Sequence, residues 1–562
     1  MDINKRTILW IVFAVSLFFL WNDWMVSNGK QSMFSMTPPP AKVAAAPAST
    51  APTSTVPGAT AGAVPGVAPA VKSEIITVTT DVFKVDIDTA GGVVRRVELL
   101  KFKEATHPGW FGGCFGISKE CQTNRGNEKN EVLFEQSGGK TYLAQTGLLG
   151  AAGLPNHNTI FAAKPGVRTL DNGNQVQVVM DATQGGVKLT KTFTFKRGDY
   201  VIDMRHDVTN TGAAPVAPSV YLQLLHDGTK PVTDGFFNSS YTGPTLYTST
   251  DHYEKLKFED IAKGKVNHAT KANDGWIAIS QHFFVSAFIP PVNVPREIRT
   301  ETVATNLYSI STVQPLGTVA PGATVSSDAR LYSGPQDEAR LEQVAPGLEL
   351  VKDYSWATVI AKLIFSVMNF LHGILGNWGW TIVAFTILIK LLFFPLSAAG
   401  YRSMAKMKVV APKMTAIREK YKSDPAKMNQ ATMELYKKEK INPLGGCLPI
   451  LIQMPVFLAL YWTLQAAVEM RGAPWILWIH DLTAPDPYFI LPILYAISMF
   501  VTTKLNPQPA DPMQAKMMMF MPLAFSVIFV FFPSGLVLYW VVNNLISMAQ
   551  QYVITKKYAP AK

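Results

Sequence analysis

The chain has 562 residues and a formal net charge of +11 at pH 7, and it is 48% hydrophobic but only 16% charged. An average soluble protein is about 25% charged, so this composition excludes a disordered or histone-like polycation. The positive charge is confined to short segments beside apolar runs: residues 1–6, 397–445, 504–516 and 555–562. Such confinement is typical of a membrane protein with these segments in the cytoplasm, and it argues against nucleic-acid binding as the primary role.

The N-terminal region predicts an anchor followed by a tether. An apolar run over residues 7–26 follows Lys5 and Arg6, and a spanning helix needs about 20 residues. We expect an uncleaved signal-anchor span within residues 1–27, and a cleaved signal peptide is the alternative. Residues 28–72 are rich in Pro, Ala and Thr, a composition that predicts an extended linker. Both a signal anchor and a cleaved signal peptide would place the residues that follow on the far side of the membrane.

Residues 73–345 predict a large all-β domain outside the cytoplasm. Apolar and polar side chains alternate in short runs, such as 82–88 and 200–206, between turns rich in Gly, Asn, Pro and Asp. Alternation with period two is typical of strands that bury one face, and many such strands indicate a β-sandwich. Cys114 and Cys121 lie in this compartment, where they either form a disulfide or remain separate thiols. The isolated histidines predict packed or surface side chains and no metal site.

The C-terminal third predicts helices in and beside the membrane. Residues 355–376 repeat apolar side chains at i, i+3, i+4 and i+7, which indicates an amphipathic helix lying in the interface plane. A helix that caps the β domain is the alternative. Further spans are predicted at 377–396, 446–468, 488–503, 516–532 and 535–554. With the first span this gives six, with both termini and the basic tail 555–562 in the cytoplasm.

Lys390 is the most informative residue because it lies inside an apolar run. A lysine at the centre of a spanning helix costs about 2.5–3.5 kcal/mol, and snorkelling to the cytoplasmic headgroups is the alternative reading. Other predicted spans carry polar residues spaced by four or eight, which places each set on one helix face. We expect these stripes to line a shared hydrated cavity, with scattered interhelical hydrogen bonds as the alternative. The striped residues are Thr386 and Ser397, then Gln453, Tyr461 and Gln465, then Tyr539, Asn543 and Ser547.

Missing residue types exclude several functions. The apolar runs between 379 and 554 contain no Asp or Glu, although a proton relay or cation-coupled transporter usually needs an intramembrane carboxylate. Motifs for metals, phosphates or serine hydrolases are absent from the required context, so neither a cofactor nor an enzymatic activity is expected. A Ser/Lys dyad of Ser397 and Lys390 remains open from spacing alone. Two other functions also remain open: a channel, and a β domain that binds a ligand and uses the spans as an anchor.

The segment 397–445 predicts a basic helical hairpin in the cytoplasm, broken near residues 423–425. Methionines alternate with its basic residues, and this mixture suits an adaptable surface for anionic lipids or ribosomal RNA. A solvated hairpin without a docking role is the alternative. The basic residues expected to dock are Lys406, Lys408, Lys413, Arg418 and Lys420.

At these residues the chain closely resembles the YidC membrane-protein insertases of Gram-negative bacteria. The resemblance covers nearly the whole chain and is densest over residues 355–555. The matching stretches are GNWGW at 376–380, YRSMAKM at 401–407, NPLGGC at 442–447, LIQMP at 451–455, WIHDL at 478–482, DPMQ at 511–514 and FPSGLVLY at 532–539.

The resemblance implies a five-span core around a hydrophilic groove that opens to the cytoplasm and the lipid, and a periplasmic β-supersandwich. Thr386 and Trp540 fall at groove positions, and Met454 and Pro455 match a stretch that contacts substrate. The key basic groove residue of the family is usually Arg. Lys390 keeps the charge but loses the planar fork, so we expect its role to depend on positive charge.

The function implied is a monomeric insertase and assembly chaperone of the bacterial inner membrane. It acts on nascent membrane proteins, alone or with the Sec translocon. The ribosome and the signal recognition particle receptor are its expected partners at the cytoplasmic loop and tail, together with anionic lipids.

Overall fold

A computed structural model of the chain describes residues 64–66, 73–104, 129–137, 139–151, 153–229, 241–354, 358–421, 424–439, 448–506, 516–517, 519–520, 524 and 526–558. These residues form two compact units. The β unit ends at Asp353 and also includes Gln465–Ala473, whereas the helical unit comprises Tyr354–Leu464 and Pro474–Lys562. The predicted first span, most of the predicted linker, and Cys114 and Cys121 lie outside the described residues.

The β unit contains nineteen described strands and two short helices. The strands are β1 Ile75–Thr79, β2 Phe83–Asp88, β3 Val93–Lys103, β4 Asn130–Val132, β5 Glu135–Ser137, β6 Lys140–Leu149, β7 Ala162–Ala163, β8 Gln175–Gln184, β9 Val187–Lys196, β10 Val201–Asn210, β11 Ser219–Asp227, β12 Gly243–Thr248, β13 His252–Lys255, β14 Lys271–Ala272, β15 Trp276–Ser280, β16 Phe284–Ile289, β17 Arg296–Ala304, β18 Leu307–Pro315 and β19 Thr324–Pro335. The helices are α1 Phe258–Ala262 and α2 Glu338–Val344.

The strands form two antiparallel sheets, which confirms the predicted β-sandwich. One sheet has the order β1-β2-β3-β6-β11-β18-β17-β14, with β4 beside β3 and β5 beside β6. The other has the order β13-β12-β15-β16-β19-β10-β9-β8-β7. Strand β9 alternates buried and half-buried residues, as expected of a strand with one face in the core. Apolar residues from both sheets share one buried cluster.

Three strands do not show the expected alternation, because both of their faces are covered. Every residue of β11, β15 and β16 is buried. Helix α1 explains part of this cover, since the Phe258 ring stacks on His226 of β11 at a centroid distance of 5.4 Å. Strands buried on both faces lose the polar half of the period-two pattern.

A segment distant in sequence completes the β unit. Gln465–Ala473 carries two charged side chains that pair with residues of the sandwich. Arg471 lies 2.6 Å from Glu131, and Glu469 lies 2.9 Å from Lys352, whose side chain is fully buried. The side chains of both pairs are largely shielded from water, so removing one partner would cost more than it would in an exposed ion pair.

The helical unit contains seven described α-helices. Asn377 caps one of them by accepting the backbone N–H of Trp380, and Asp424 caps another by accepting that of Lys427. The helices are α3 Thr358–Leu375, α4 Trp378–Leu392, α5 Phe394–Lys420, α6 Pro425–Lys438, α7 Leu448–Ala466, α8 Ile490–Leu505 and α9 Ser534–Tyr558.

Length and hydropathy qualify few of the described helices as spans. Helix α3 meets both criteria, and α4 and α5 meet them together as a pair bent by 67°. A proline in the first turn of α5 accounts for the break between them. Helix α8 is apolar but shorter. The assignment of 355–376 to the interface and the count of six spans therefore remain predictions.

Candidate functional site

Three helices of the helical unit bring polar side chains to one place. Lys390 lies in the last turn of α4 and is only 3% exposed. Its Nζ donates to Oγ of Ser547 in α9 at 2.8 Å and to Oε1 of Gln453 in α7 at 3.4 Å. Lys390 therefore meets one member of each of the other two predicted polar stripes, Gln453 and Ser547.

The amine of Lys390 has no anionic partner in the part of the chain that the structure describes, where no carboxylate lies within ion-pair distance. An ammonium carries three donors, and the two contacts above occupy two of them. The third is free to meet a polar group that enters the site. A buried cation without a counter-charge is costly.

Ser547 is oriented to accept from the lysine. Its hydroxyl donates to the backbone carbonyl of Asn543 at 2.7 Å, which fixes the O–H direction one turn back along α9. The lone pairs of the hydroxyl oxygen then face away from that carbonyl and receive the Lys390 amine. Ser547 thus positions the charge.

Three other predicted groove residues are buried in α4 and α9. Thr386 is 1% exposed, and its hydroxyl is satisfied inside its own helix by the Ile382 carbonyl at 2.6 Å. Tyr539 and Asn543 are buried side chains of α9. The structure therefore places Thr386 one turn before Lys390 without giving it a bond to the cluster.

Trp540 belongs to an aromatic cluster. Its ring lies 4.7 Å from that of Phe457 in α7, 5.9 Å from Phe529 and 6.1 Å from Tyr495 in α8. The indole Nε1 is buried and has no hydrogen-bond partner among the described residues. Trp540 consequently links α7, α8 and α9 by packing.

Met454 and Pro455 lie on the outside of α7. Gln453 faces Lys390, and the next residue on a helix points about 100° away, which exposes 42% of Met454. Pro455 is also exposed. Exposure agrees with a contact surface, and the contact with substrate stays a prediction.

Two hydrogen bonds between helices of the helical unit could not be predicted from the sequence. Asn544 of α9 donates to Oγ of Ser498 in α8 at 3.0 Å, and Gln551 donates to Asn506 at 3.0 Å. Small polar residues inside the apolar run of α8 are the only signal, and they do not identify a partner. These bonds fix α8 against α9 beside the Lys390 site.

The predicted docking residues all lie on α5. Lys406, Lys408, Lys413 and Lys420 are exposed, whereas Arg418 is half-buried. Lys413 pairs with Glu439 at 2.6 Å, but the two side chains are 61% and 32% exposed, so the pair is weak. The helix therefore presents a basic surface.

The fold and this site define a class: a helical membrane protein with a large all-β domain. Family comparison narrows the class. Residues 119–367 match the model described as the YidC periplasmic domain, and residues 370–561 match the 60Kd inner membrane protein. The chain belongs to the YidC membrane protein insertase family, whose members are inner-membrane proteins with a periplasmic domain and are not enzymes. The predicted resemblance is confirmed.

Individual relatives support the same assignment. The chain is 57% identical to the membrane protein insertase YidC of Herminiimonas arsenicoxydans, over 100% of both chains. It is 56% identical to that of Janthinobacterium sp. (strain Marseille), over 99% of both. A crystal structure described as an active YidC insertase with its first transmembrane domain resolved is 21% identical over 86% of this chain and 93% of that chain. The TM-score between the two structures is 0.39.

Proposed function

We propose that this protein inserts integral membrane proteins into the inner membrane and assists their folding through a hydrophilic groove centred on Lys390. The insertase role agrees with the names of its relatives. The single observation that carries the groove mechanism is the buried Lys390 amine, which two uncharged side chains hold and no carboxylate of the described residues neutralises.

The mechanism is a reduction in desolvation cost. A hydrophilic segment of a nascent chain enters the groove from the cytoplasm, where water and the striped polar side chains replace part of its hydration. The free N–H of Lys390 attracts a carboxylate or carbonyl of that segment. The adjoining apolar segment meanwhile moves into lipid past Met454 and Pro455. Neither step requires covalent chemistry.

The topology and partners complete the proposal. Six spans place both termini and the basic surface of α5 in the cytoplasm. That surface and the C-terminal tail dock the ribosome, the signal recognition particle receptor and anionic lipids. The protein acts as a monomer, alone or with the Sec translocon.

Reconstituted vesicles test the charge mechanism directly. We expect Lys390→Ala to remove most insertion of a small single-span substrate, Lys390→Glu to remove more, and Lys390→Arg to retain it. Lys504→Ala is the matched control, because Lys504 is an exposed lysine at the end of α8. Wild-type insertion by Lys390→Ala or Lys390→Glu would refute the mechanism while leaving family membership intact.

A further inference from the structure

A short part of the predicted linker packs against the β unit. Residues 64–66 belong to the same compact unit as the sandwich, and Val64 is only 9% exposed, whereas Gly66 is exposed. The composition of residues 28–72 predicts a free tether, because such a segment has too little apolar surface to fold. The structure nevertheless buries one valine of that tether, so this part of the linker is bound.

Three neighbouring strands of one sheet form the site that holds Val64. Its side chain shares a small buried cluster with Leu149 at the end of β6, Tyr221 of β11 and Val313 of β18. Tyr221 and Val313 are direct partners in the register of β11 and β18. The residues on either side of Tyr221 in β11 belong to the main core of the sandwich. Since successive side chains of a strand point to opposite faces, Val64 covers the outer face of this sheet.

Tyr221 gives the site a fixed shape. Its side chain is fully buried, and its hydroxyl accepts the backbone N–H of His157 at 3.0 Å and lies 2.5 Å from Nδ1 of the same residue. Gly147 of β6 leaves room for the ring, because a Cβ at that position would lie 2.6 Å from the Tyr221 hydroxyl oxygen. These contacts restrain the ring, so the apolar site is preorganised for a small branched side chain.

A backbone contact fixes the register of the bound segment. Nδ2 of Asn158 donates to the carbonyl of Gly66 at 3.0 Å. Pro65 restricts Val64, the residue before it, to extended conformations, so the segment loses little conformational freedom when it binds. Residues 43–71 contain no charged side chain. The site therefore recognises shape and a backbone carbonyl, and ion pairing contributes nothing.

We propose that this outer face of the sheet is a docking site for the linker, and that residues 64–66 fasten the tether to the β unit. The site fits an extended segment in which a branched apolar residue precedes proline. The free part of the predicted linker then ends at residue 63 instead of at β1. This docking goes beyond insertion through the Lys390 groove and does not depend on it.

Cysteine accessibility in the full-length protein in detergent tests the docking. Val64→Cys and Gly66→Cys place a thiol at a buried and an exposed position of one segment, and a Cβ at Gly66 meets no atom within 4 Å. Labelling by N-ethylmaleimide is followed site by site by mass spectrometry, because the chain has three native cysteines. We expect the thiol at position 64 to react at least about tenfold more slowly than that at position 66, and the two rates to converge in urea.

A change on the other side of the contact assigns the protection to the site. Asn158→Ala removes the bond to the Gly66 carbonyl and should speed labelling at position 64 about threefold to fivefold, the effect of one hydrogen bond. Gln177→Ala is the matched control, because this exposed amide donates to Thr194 in the other sheet at 3.1 Å, and it should leave the rate unchanged. Equal labelling rates at positions 64 and 66 in the folded protein, or a rate at position 64 that Asn158→Ala does not raise, would overturn the proposal.

Discussion

Replacing Arg471 tests whether Gln465–Ala473 is an integral part of the β unit. The guanidinium contacts Glu131 at 2.6 Å, donates to the Lys103 carbonyl at 2.8 Å, and lies with its carbon 4.9 Å from the centroid of Phe284. The Arg471 side chain is 9% exposed and that of Glu131 is 22% exposed. Arg471→Leu therefore leaves a shielded carboxylate without its partner.

The magnitude follows from that degree of burial. Removing one partner of a fully buried ion pair costs about 3–5 kcal/mol, whereas exposed pairs are worth about 0–1 kcal/mol. This pair lies between the two limits, so we expect Arg471→Leu to cost about 2–3 kcal/mol. Burial raises the pKa of Glu131 although Arg471 opposes the shift. Desolvation of the carboxylate thus offsets part of the attraction, and Glu131→Gln should cost less than Arg471→Leu.

A double-mutant cycle on the full chain in detergent measures the coupling energy, with urea unfolding of the β unit followed by pulse proteolysis. Lys196 and Asp203 provide the control pair, because their atoms are 2.7 Å apart but their side chains are 51% and 34% exposed. We expect a coupling of about 1.5–2 kcal/mol for the shielded pair and under about 1 kcal/mol for the control. Equal coupling energies in the two pairs would refute this reasoning, because the Arg471–Glu131 pair would then stabilise the β unit no more than an exposed pair does.

Three further outcomes are expected. Burial lowers the pKa of Lys191 from 10.5 to about 7, so between these pH values the folded β unit binds fewer protons than the unfolded chain. The free energy of unfolding of the β unit should therefore rise from pH 7.5 to 9, and Lys191→Met should abolish this rise. A Cβ on Gly379 would lie 2.1 Å from Cδ1 of Trp475, so Gly379→Ala should lower thermal stability by about 1–3 kcal/mol, while Gly373→Ala, with no atom within 4 Å, should not. Ser547→Ala should reduce vesicle insertion by about fivefold and lower the thermal midpoint slightly, since the hydrogen bond that it removes contributes about 1 kcal/mol.

The all-β class could be predicted from the sequence, but the sheet order could not. Alternation at 82–88 and 200–206 predicts strands, and β2 and β10 lie there with alternating burial. Strand β11 has no such pattern, because α1 and strands β15 and β16 of the other sheet pack against it. Its pairing with β6 and β18 joins segments far apart in the chain. Local periodicity contains no information about such partners.

The contacts at the Lys390 site likewise could not be predicted from the spacing of residues along the helices. Spacing by four places Gln453 and Ser547 on polar faces, but helical period alone does not say which face meets which. The packing of α4, α7 and α9 brings Gln453 and Ser547 to Lys390. The hydroxyl of Thr386 turns back to the carbonyl at i−4, a local bond that competes with any contact across the groove. A residue on the correct face can therefore lie outside the cluster.

Two buried lysines of this chain separate structural from functional charge. Lys191 donates to two backbone carbonyls at 2.6 and 2.7 Å, and the ring of Phe161 covers its amine at 4.8 Å, so no direction remains for a ligand. Lys390 has one short bond, one long bond and a donor without a described acceptor. The protein sustains the desolvation cost of both amines, but only the second amine can recover part of that cost by meeting an incoming polar group. Substitution at Lys191 should therefore change stability and leave insertion intact, whereas substitution at Lys390 should do the reverse.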